Sequence, residues 1–295
     1  MVRLVGLSHA DDALGSSERA RLAVPYPGGV SSVDFGIQGR VALVGASARG
    51  LGLATANRLA AEGCSVAICD MDDDALLEAR QELQGDHPST EIDSFRVDLT
   101  QAADIEGLVG RVKDRLGPVD ILVTNAGGPP PGSFEDATDA SWELAYSLTF
   151  LSAVRMIRAV LPDMKERGWG RIINFTSRAL KEPIPNLIIS NAVRLAVGGM
   201  AKTLAAEVAP FGITVNNLLP GPTATDRQLQ LIAARAEREG ISAEQAQEAI
   251  VREIPIGRLA DPDELAAVAA FLASQCAAYV TGVSLLVDGG AVRAL

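Results

Sequence analysis

Residues 40–61, RVALVGASARGLGLATANRLAA, constrain the fold of this chain more than any other stretch. Val41 to Val44 is a short uninterrupted apolar run, the pattern of a parallel strand buried on both faces. A glycine-rich turn follows, with Gly45, Gly50 and Gly52. Leu51, Ala54, Thr55, Leu59 and Ala60 then recur at helical spacing. Glycines in a strand–turn–helix context let the backbone approach a pyrophosphate, and the free N–H groups of the helix start attract anions. A second strand at 65–69 ends in Asp70, 18 residues beyond Gly52. A carboxylate at that strand end can accept the hydroxyls of an adenosine ribose. The plain alternative is a tight turn without a ligand, in which Asp70 serves the helix beginning near Asp72.

The rest of the chain repeats the alternation. Helical patterns at 72–83, 102–116, 141–164, 188–209 and 261–273 separate strand patterns at 94–97, 121–123, 171–175, 214–219 and 284–287. Residues 102–116 are amphipathic, with Ile105, Leu108, Val109, Val112 and Leu116 on one face. Strands that alternate with helices form a parallel sheet covered on both sides. The fold class expected is therefore α/β, a Rossmann-type doubly wound parallel seven-stranded sheet with helices on both faces. A formal net charge of -11 argues against nucleic acid and anionic lipid as partners. No run approaches the roughly 20 uninterrupted apolar residues of a membrane span. Cys64, Cys69 and Cys276 lack the spacing of metal ligands, so no metal is expected. Cys64 and Cys69 read as core thiols of a reducing compartment, which makes the expected location cytoplasmic. His9 and His87 fall outside the strand ends and carry no catalytic expectation.

The motifs ASARGLG, Asp98-Leu99-Thr100, Asn125-Ala126-Gly127, Pro220-Gly221 and Val287-Asp288-Gly289-Gly290 occur in this order. Together they resemble the short-chain dehydrogenase/reductase family, in its 3-oxoacyl-ACP reductase-like branch. The resemblance runs from about Asp34 to the C-terminus. It implies a dinucleotide-binding domain over 34–295 and an N-terminal extension over 1–33. That extension has no secretory pattern. It reads as an irregular arm, disordered or laid across its own or a neighbouring subunit.

The resemblance also implies where a cofactor would lie. Gly45, Ser47, Arg49, Gly50, Leu51 and Gly52 belong to the phosphate loop. Asp70, Asp98 and Leu99 stand at the adenosine end. Asn125, Ala126 and Gly127 follow the fourth strand. Pro220, Gly221, Thr223 and Thr225 correspond to the segment that holds the carboxamide. An Asp at position 70 repels a 2′-phosphate and favours NAD. Arg49 points the other way, because the resemblance implies that a base there contacts the phosphate of NADP. It could instead reach the diphosphate or pair with Asp70. NAD is the expected cofactor, with NADP possible. Asp98 serves equally as an N-cap for the following helix. Ala46 stands where the family carries glycine and adds a methyl group beside the diphosphate.

The catalytic positions depart from the family pattern. Its serine corresponds to Ser177, at the end of the fifth strand. Its tyrosine and lysine fall on Ser190 and Arg194, and its asparagine on Thr149. A phenol near an ammonium passes protons near neutrality, whereas a serine hydroxyl is a far weaker acid. Arg194 keeps its charge and stays protonated, so it can hold ribose or a substrate carboxylate but not relay a proton. Lys181, four residues after Ser177, or a water held by Ser177 and Ser190, is the candidate proton donor, and an exposed lysine beside Glu182 is the plain alternative for Lys181. The leading reading is an NAD(P)-dependent oxidoreductase of carbonyl or alcohol substrates with a non-standard site. The alternatives are a nucleotide-binding sensor or scaffold without turnover, and a non-redox lyase, cyclase or isomerase. Residues 225–253 are helix-forming and, by resemblance, cover the substrate. Leu229, Leu231, Ile232 and Ile241 are expected to face the crevice and to favour a partly apolar small molecule. The resemblance implies a homotetramer, formed by the helices at 141–164 and 188–209.

Overall fold

The computed structural model describes residues 33–294. All of the N-terminal extension except Val33, and with it His9, lies outside the described residues. Seven parallel strands form one sheet: β1 (Val41–Val44), β2 (Ser65–Asp70), β3 (Ile92–Arg96), β4 (Ile121–Thr124), β5 (Gly170–Phe175), β6 (Ile213–Pro220) and β7 (Ser284–Val287). Their order is β3-β2-β1-β4-β5-β6-β7, so the winding reverses between β1 and β4. In such sheets ligands bind at the carboxyl ends of the strands flanking that reversal.

Alternation along the strands divides the core. Ala42 and Val44 of β1 face helices α1 (Gly50–Ala61), α2 (Asp73–Asp86) and α9 (Pro262–Ala273). Val41 and Leu43 face the opposite layer, made by α3 (Ala102–Arg115), α5 (Ser152–Arg167) and α6 (Ile188–Val208). Both layers are closed by small and branched apolar residues, as a two-faced parallel sheet requires. The doubly wound seven-stranded fold expected from the sequence is therefore present.

Three elements differ from the sequence pattern in ways that shape the site. The helix expected over 141–164 is α4 (Asp139–Ala145), a π-helical turn at Tyr146–Leu151, and α5. Thr149 sits in that turn with its hydroxyl buried and without a partner. Single π-turns inside α-helices recur at functional sites. The stretch 225–253 is two helices, α7 (Asp226–Glu239) and α8 (Ala243–Arg252), broken at Gly240 in the left-handed conformation. Ser242 and Gln245 restart the chain with a reciprocal capping box. The third difference is a short 3₁₀ turn, Arg178–Leu180, directly after β5.

The continuous helical run over 139–167 is long and apolar enough by composition to cross a bilayer. It nevertheless buries Met156, Ile157, Val160 and Met164 against the sheet, as a core helix does. Cys64 and Cys69 are buried thiols, each pushed up to about 12 chiefly by burial, and so are inert.

Candidate active site

The turn after β1 is held from two sides. Gly45 donates its N–H to Val123 O at 3.0 Å, and Asn125 Nδ2 donates to Ala46 O at 3.1 Å. Ala46 adopts φ 44, a left-handed conformation that glycine takes without cost. At Gly52 a side chain would meet Ala46 O at 2.3 Å, so glycine is what lets α1 approach the loop. The first turn of α1 has neither a capping side chain nor an acidic residue, which leaves its N–H groups to an external anion.

Ser47 behaves differently from expectation. It is fully buried, donates to Val44 O at 2.7 Å and accepts from Cys69 N at 3.0 Å. It ties β1 to β2 instead of facing a ligand. Leu99 likewise belongs to the core. Gly45, Gly52 and Asp98 also stand back from the cavity wall. Asp98 accepts from the Thr100 hydroxyl at 2.7 Å and from Thr100 N at 2.8 Å, and these bonds hold its carboxyl below the usual range. It orders that turn, while the helix N-cap is Gln101.

Asp70 accepts from Met71 N at 2.8 Å and from Ala48 N at 3.3 Å, which carries its carboxylate to the glycine loop. Arg49 pairs with Asp72 at 2.9 Å, and not with Asp70. Among the described residues no ion pair joins Asp70 to a cation.

One cavity of about 680 Å³ extends from this loop across the sheet end. Ala46, Arg49, Gly50 and Leu51 line one end. Asn125, Ala126 and Gly127 follow, then Ser177, Ser190 and Arg194. Pro220, Gly221, Thr223 and Thr225 line the cavity as well. The Thr225 side chain caps α7 and lies against Gly50, which brings the segment after β6 back to the glycine loop. Sequence positions separated by more than a hundred residues thus share one wall.

Ser177 stands at the end of β5, its Oγ accepting from Ala179 N at 3.1 Å. Ser190 is nearly buried on α6 and accepts from Arg194 Nε at 3.3 Å. Arg194 donates through Nη1 to Thr176 O at 2.9 Å and to Phe175 O at 3.3 Å, clamping α6 to the end of β5. Burial first, and the charge of Arg227 second, bring the Arg194 guanidinium down to about 10. Lys181 corrects the sequence expectation. It is exposed and does not line the cavity, because the 3₁₀ turn that Ser177 caps carries the chain outward before Lys181 is reached.

The lid also differs from expectation. Leu231 lines the cavity, but Leu229 is 58% exposed. Ile232 is 3% exposed and packs with Ala236, Ala246, Ile241 and Ile250 between the two lid helices. Two helices that lie over a cavity must first bury their apolar stripes in each other. The face they offer the crevice is consequently mixed, with Arg227, Gln228, Arg235 and Arg238 beside Leu231 and Ile250.

Several contributors were not singled out from the sequence. Arg227 donates to Pro129 O and lies against Gly128. A buried ladder runs from Thr124 to Asn174 (2.7 Å), from Asn174 to Asn217 (3.0 Å) and from Asn217 to Ser284 (3.1 Å). It fixes the register of β4 to β7 beneath the site. Its sequence signal is the asparagines that interrupt otherwise apolar buried strands. Tyr146 and Tyr279, the tyrosines among the described residues, do not line the cavity.

The family model described as enoyl-(acyl carrier protein) reductase matches residues 45–292. The chain is 34% identical to D-beta-hydroxybutyrate dehydrogenase of Cupriavidus necator, over 86% of this chain and 98% of that one. It is 29% identical to NADPH-dependent reductase BacG of Bacillus subtilis, over 87% and 99%. Among solved structures it resembles L-sorbose reductase from Gluconobacter frateurii complexed with NADPH and L-sorbose, with TM-score 0.84 and 32% identity, over 89% of this chain and 100% of that one.

Proposed function

Because the chain belongs to the short-chain dehydrogenase/reductase family, we propose that it is an NAD(P)-dependent oxidoreductase acting on a carbonyl or alcohol substrate, with a site that departs from the family's tyrosine and lysine. The observation that carries this reading is the single cavity joining the glycine loop to Ser177, Ser190 and Arg194. The residues fit a dinucleotide. The uncapped start of α1 suits its diphosphate, and the close approach at Gly52 keeps the cradle open. Asp70, at the end of β2, would accept ribose hydroxyls, which favours NAD over NADP. When bound, the nicotinamide supplies or accepts a hydride at the substrate carbon.

The chain's own residues supply the rest. Ser177 orients the substrate oxygen through its hydroxyl. Arg194, one helical turn from Ser190, sets a fixed positive charge where negative charge develops on that oxygen. Ser190 and Ser177 hold the water that delivers the proton there, a task for which Lys181 is misplaced. Thr223 and Thr225 bound the carboxamide end. The exposed Leu144, Tyr146 and Leu195, on or beside α4 and α6, support assembly as a homotetramer through those helices. The buried thiols of Cys64 and Cys69 support a cytoplasmic location.

Fluorescence titration of NADH and NADPH, followed by assay of a carbonyl and alcohol panel, tests the reading. Binding with turnover of at least one class is expected. Binding without turnover across the panel would transfer the site to a nucleotide-binding or non-redox role.

A further inference from the structure

We infer that the substrate end of the cavity is a carboxylate site, in which Arg227 and Arg194 receive the acid group of a 2-oxo or 3-oxo acid, or of the matching hydroxy acid. The inference rests on the carbonyl/alcohol reading above and names its substrate class. Six arginines line the cavity against three carboxylates, Asp226, Glu239 and Glu253, in a chain whose net charge is -11. The arginines near the outer lid are neutralised locally. Arg235 pairs with Glu239 at 3.1 Å and Glu253 at 3.5 Å, and Arg238 pairs with Glu239 at 2.8 Å. Arg49 is taken by Asp72.

Arg178, in the turn after β5, also lines the cavity and forms no ion pair among the described residues, but Arg227 and Arg194 are the pair whose charges act on each other. Among the described residues neither has a carboxylate partner, and each is half-buried. Their hydrogen bonds go to neutral oxygens, those of Pro129, Phe175, Thr176 and Ser190. Burial and their mutual repulsion weaken the hold of Arg194 on its proton, and burial does the same at Arg227. Two like charges turned into one partly desolvated space without a counter-ion are costly, and an anion removes that cost. Guanidinium groups suit a planar carboxylate, which they bind bidentately. Arg194 bonds Ser190, and Arg227 lies against Gly128 and Pro129 in the same cavity that Ser177 lines, so an anion held between them would lie in the cavity that holds the reacting groups. Ile232, Ala236 and Ala246 are spent between α7 and α8, while Leu231 remains on the cavity wall beside the arginines.

The test is equilibrium titration of protein saturated with NAD⁺, which cannot reduce a ketone, using pyruvate and acetoacetate, their methyl esters and inorganic phosphate. The keto acids are expected to bind at least tenfold more tightly than their esters. Arg227→Gln should cut keto-acid affinity about 10–100-fold, Arg227→Lys should recover part of it, and NADH affinity should stay within twofold in both. Esters that bind as well as the acids would overturn the inference, as would phosphate binding as tightly as the keto acids. An Arg227→Gln variant whose NADH affinity falls as far as its keto-acid affinity would reassign Arg227 to the diphosphate and overturn it too. These outcomes are independent of turnover. Keto-acid binding that depends on Arg227 without any reduction by NADH would sink the oxidoreductase reading alone, whereas reduction of ketones with no preference for acids would sink this one alone.

Discussion

Gly52→Ala places a methyl group where α1 meets the glycine loop. The new Cβ would lie 2.3 Å from Ala46 O and 2.7 Å from Ser47 Cα. Comfortable separations for such atoms are about 3.5 Å, so helix and loop must part by roughly 1 Å. The obstructing atoms are backbone, held by Gly45 N to Val123 O and by the Ser47 hydroxyl to β2, so they cannot swing aside. Overpacking of this kind costs up to about 3 kcal/mol, and replacing glycine inside a helix returns at most about 1 kcal/mol. The net loss of about 2 kcal/mol corresponds to a fall in Tm of roughly 4–8 °C for a domain of this size. Parting the helix from the loop also misaligns the N–H groups offered to the diphosphate. NADH affinity should fall at least about tenfold, or 1.4 kcal/mol. Gly107→Ala is the control. Gly107 lies on the exposed face of α3 with nothing within 4 Å of its added methyl group. The same chemical change there should raise stability by about 0.5–1 kcal/mol and leave NADH binding alone. Both variants are read by thermal unfolding and by nicotinamide fluorescence. A Gly52→Ala protein as stable as Gly107→Ala, or one that binds NADH normally, would refute the close approach of α1 to the loop.

Three further outcomes are expected. Ser177→Ala should lower kcat/KM about 10²-fold or more while Lys181→Met stays within twofold of the parent in steady-state assay, and the reverse ranking would return the proton to Lys181. Asp70→Ala should narrow or invert the ratio of NADPH to NADH affinity, and an unchanged ratio on fluorescence titration would remove Asp70 from the ribose. Glu264, in a two-bonded pair with Arg258 at 2.6 and 2.7 Å, is held down to about 2, chiefly by that pair. A depressed carboxyl stabilises the fold above its unfolded value near 4.5 and loses that effect as pH falls towards 2. The stability gap between parent and Glu264→Gln should therefore be full at pH 6 and close between about 4.5 and 2, and denaturant melts showing a gap independent of pH would contradict it.

Local pattern settled the architecture. Period-two and period-3.6 apolar repeats, with glycines at the β1–α1 turn, are properties of adjacent residues, and they suffice to define strands, helices and a parallel sheet. The family motifs, not the periodicity, singled out Ala46, Gly50, Asn125, Ser177, Ser190, Arg194 and Thr225, all of which line one cavity. Tertiary structure decided what depends on competition between distant groups. Ser47 looked like a loop ligand, but a hydroxyl beside two buried strands finds Val44 O and Cys69 N first. Lys181 is close to Ser177 in sequence, yet one 3₁₀ turn is enough to aim it at solvent. Ile232 and Ile241 read as lid residues facing a substrate, until the second lid helix supplied a better apolar partner. Arg227 and Arg194 line the same cavity, although 33 positions separate the two in the chain. No spacing rule connects such residues, since they share a wall only when the folded chain brings α6 and α7 to the same strand ends.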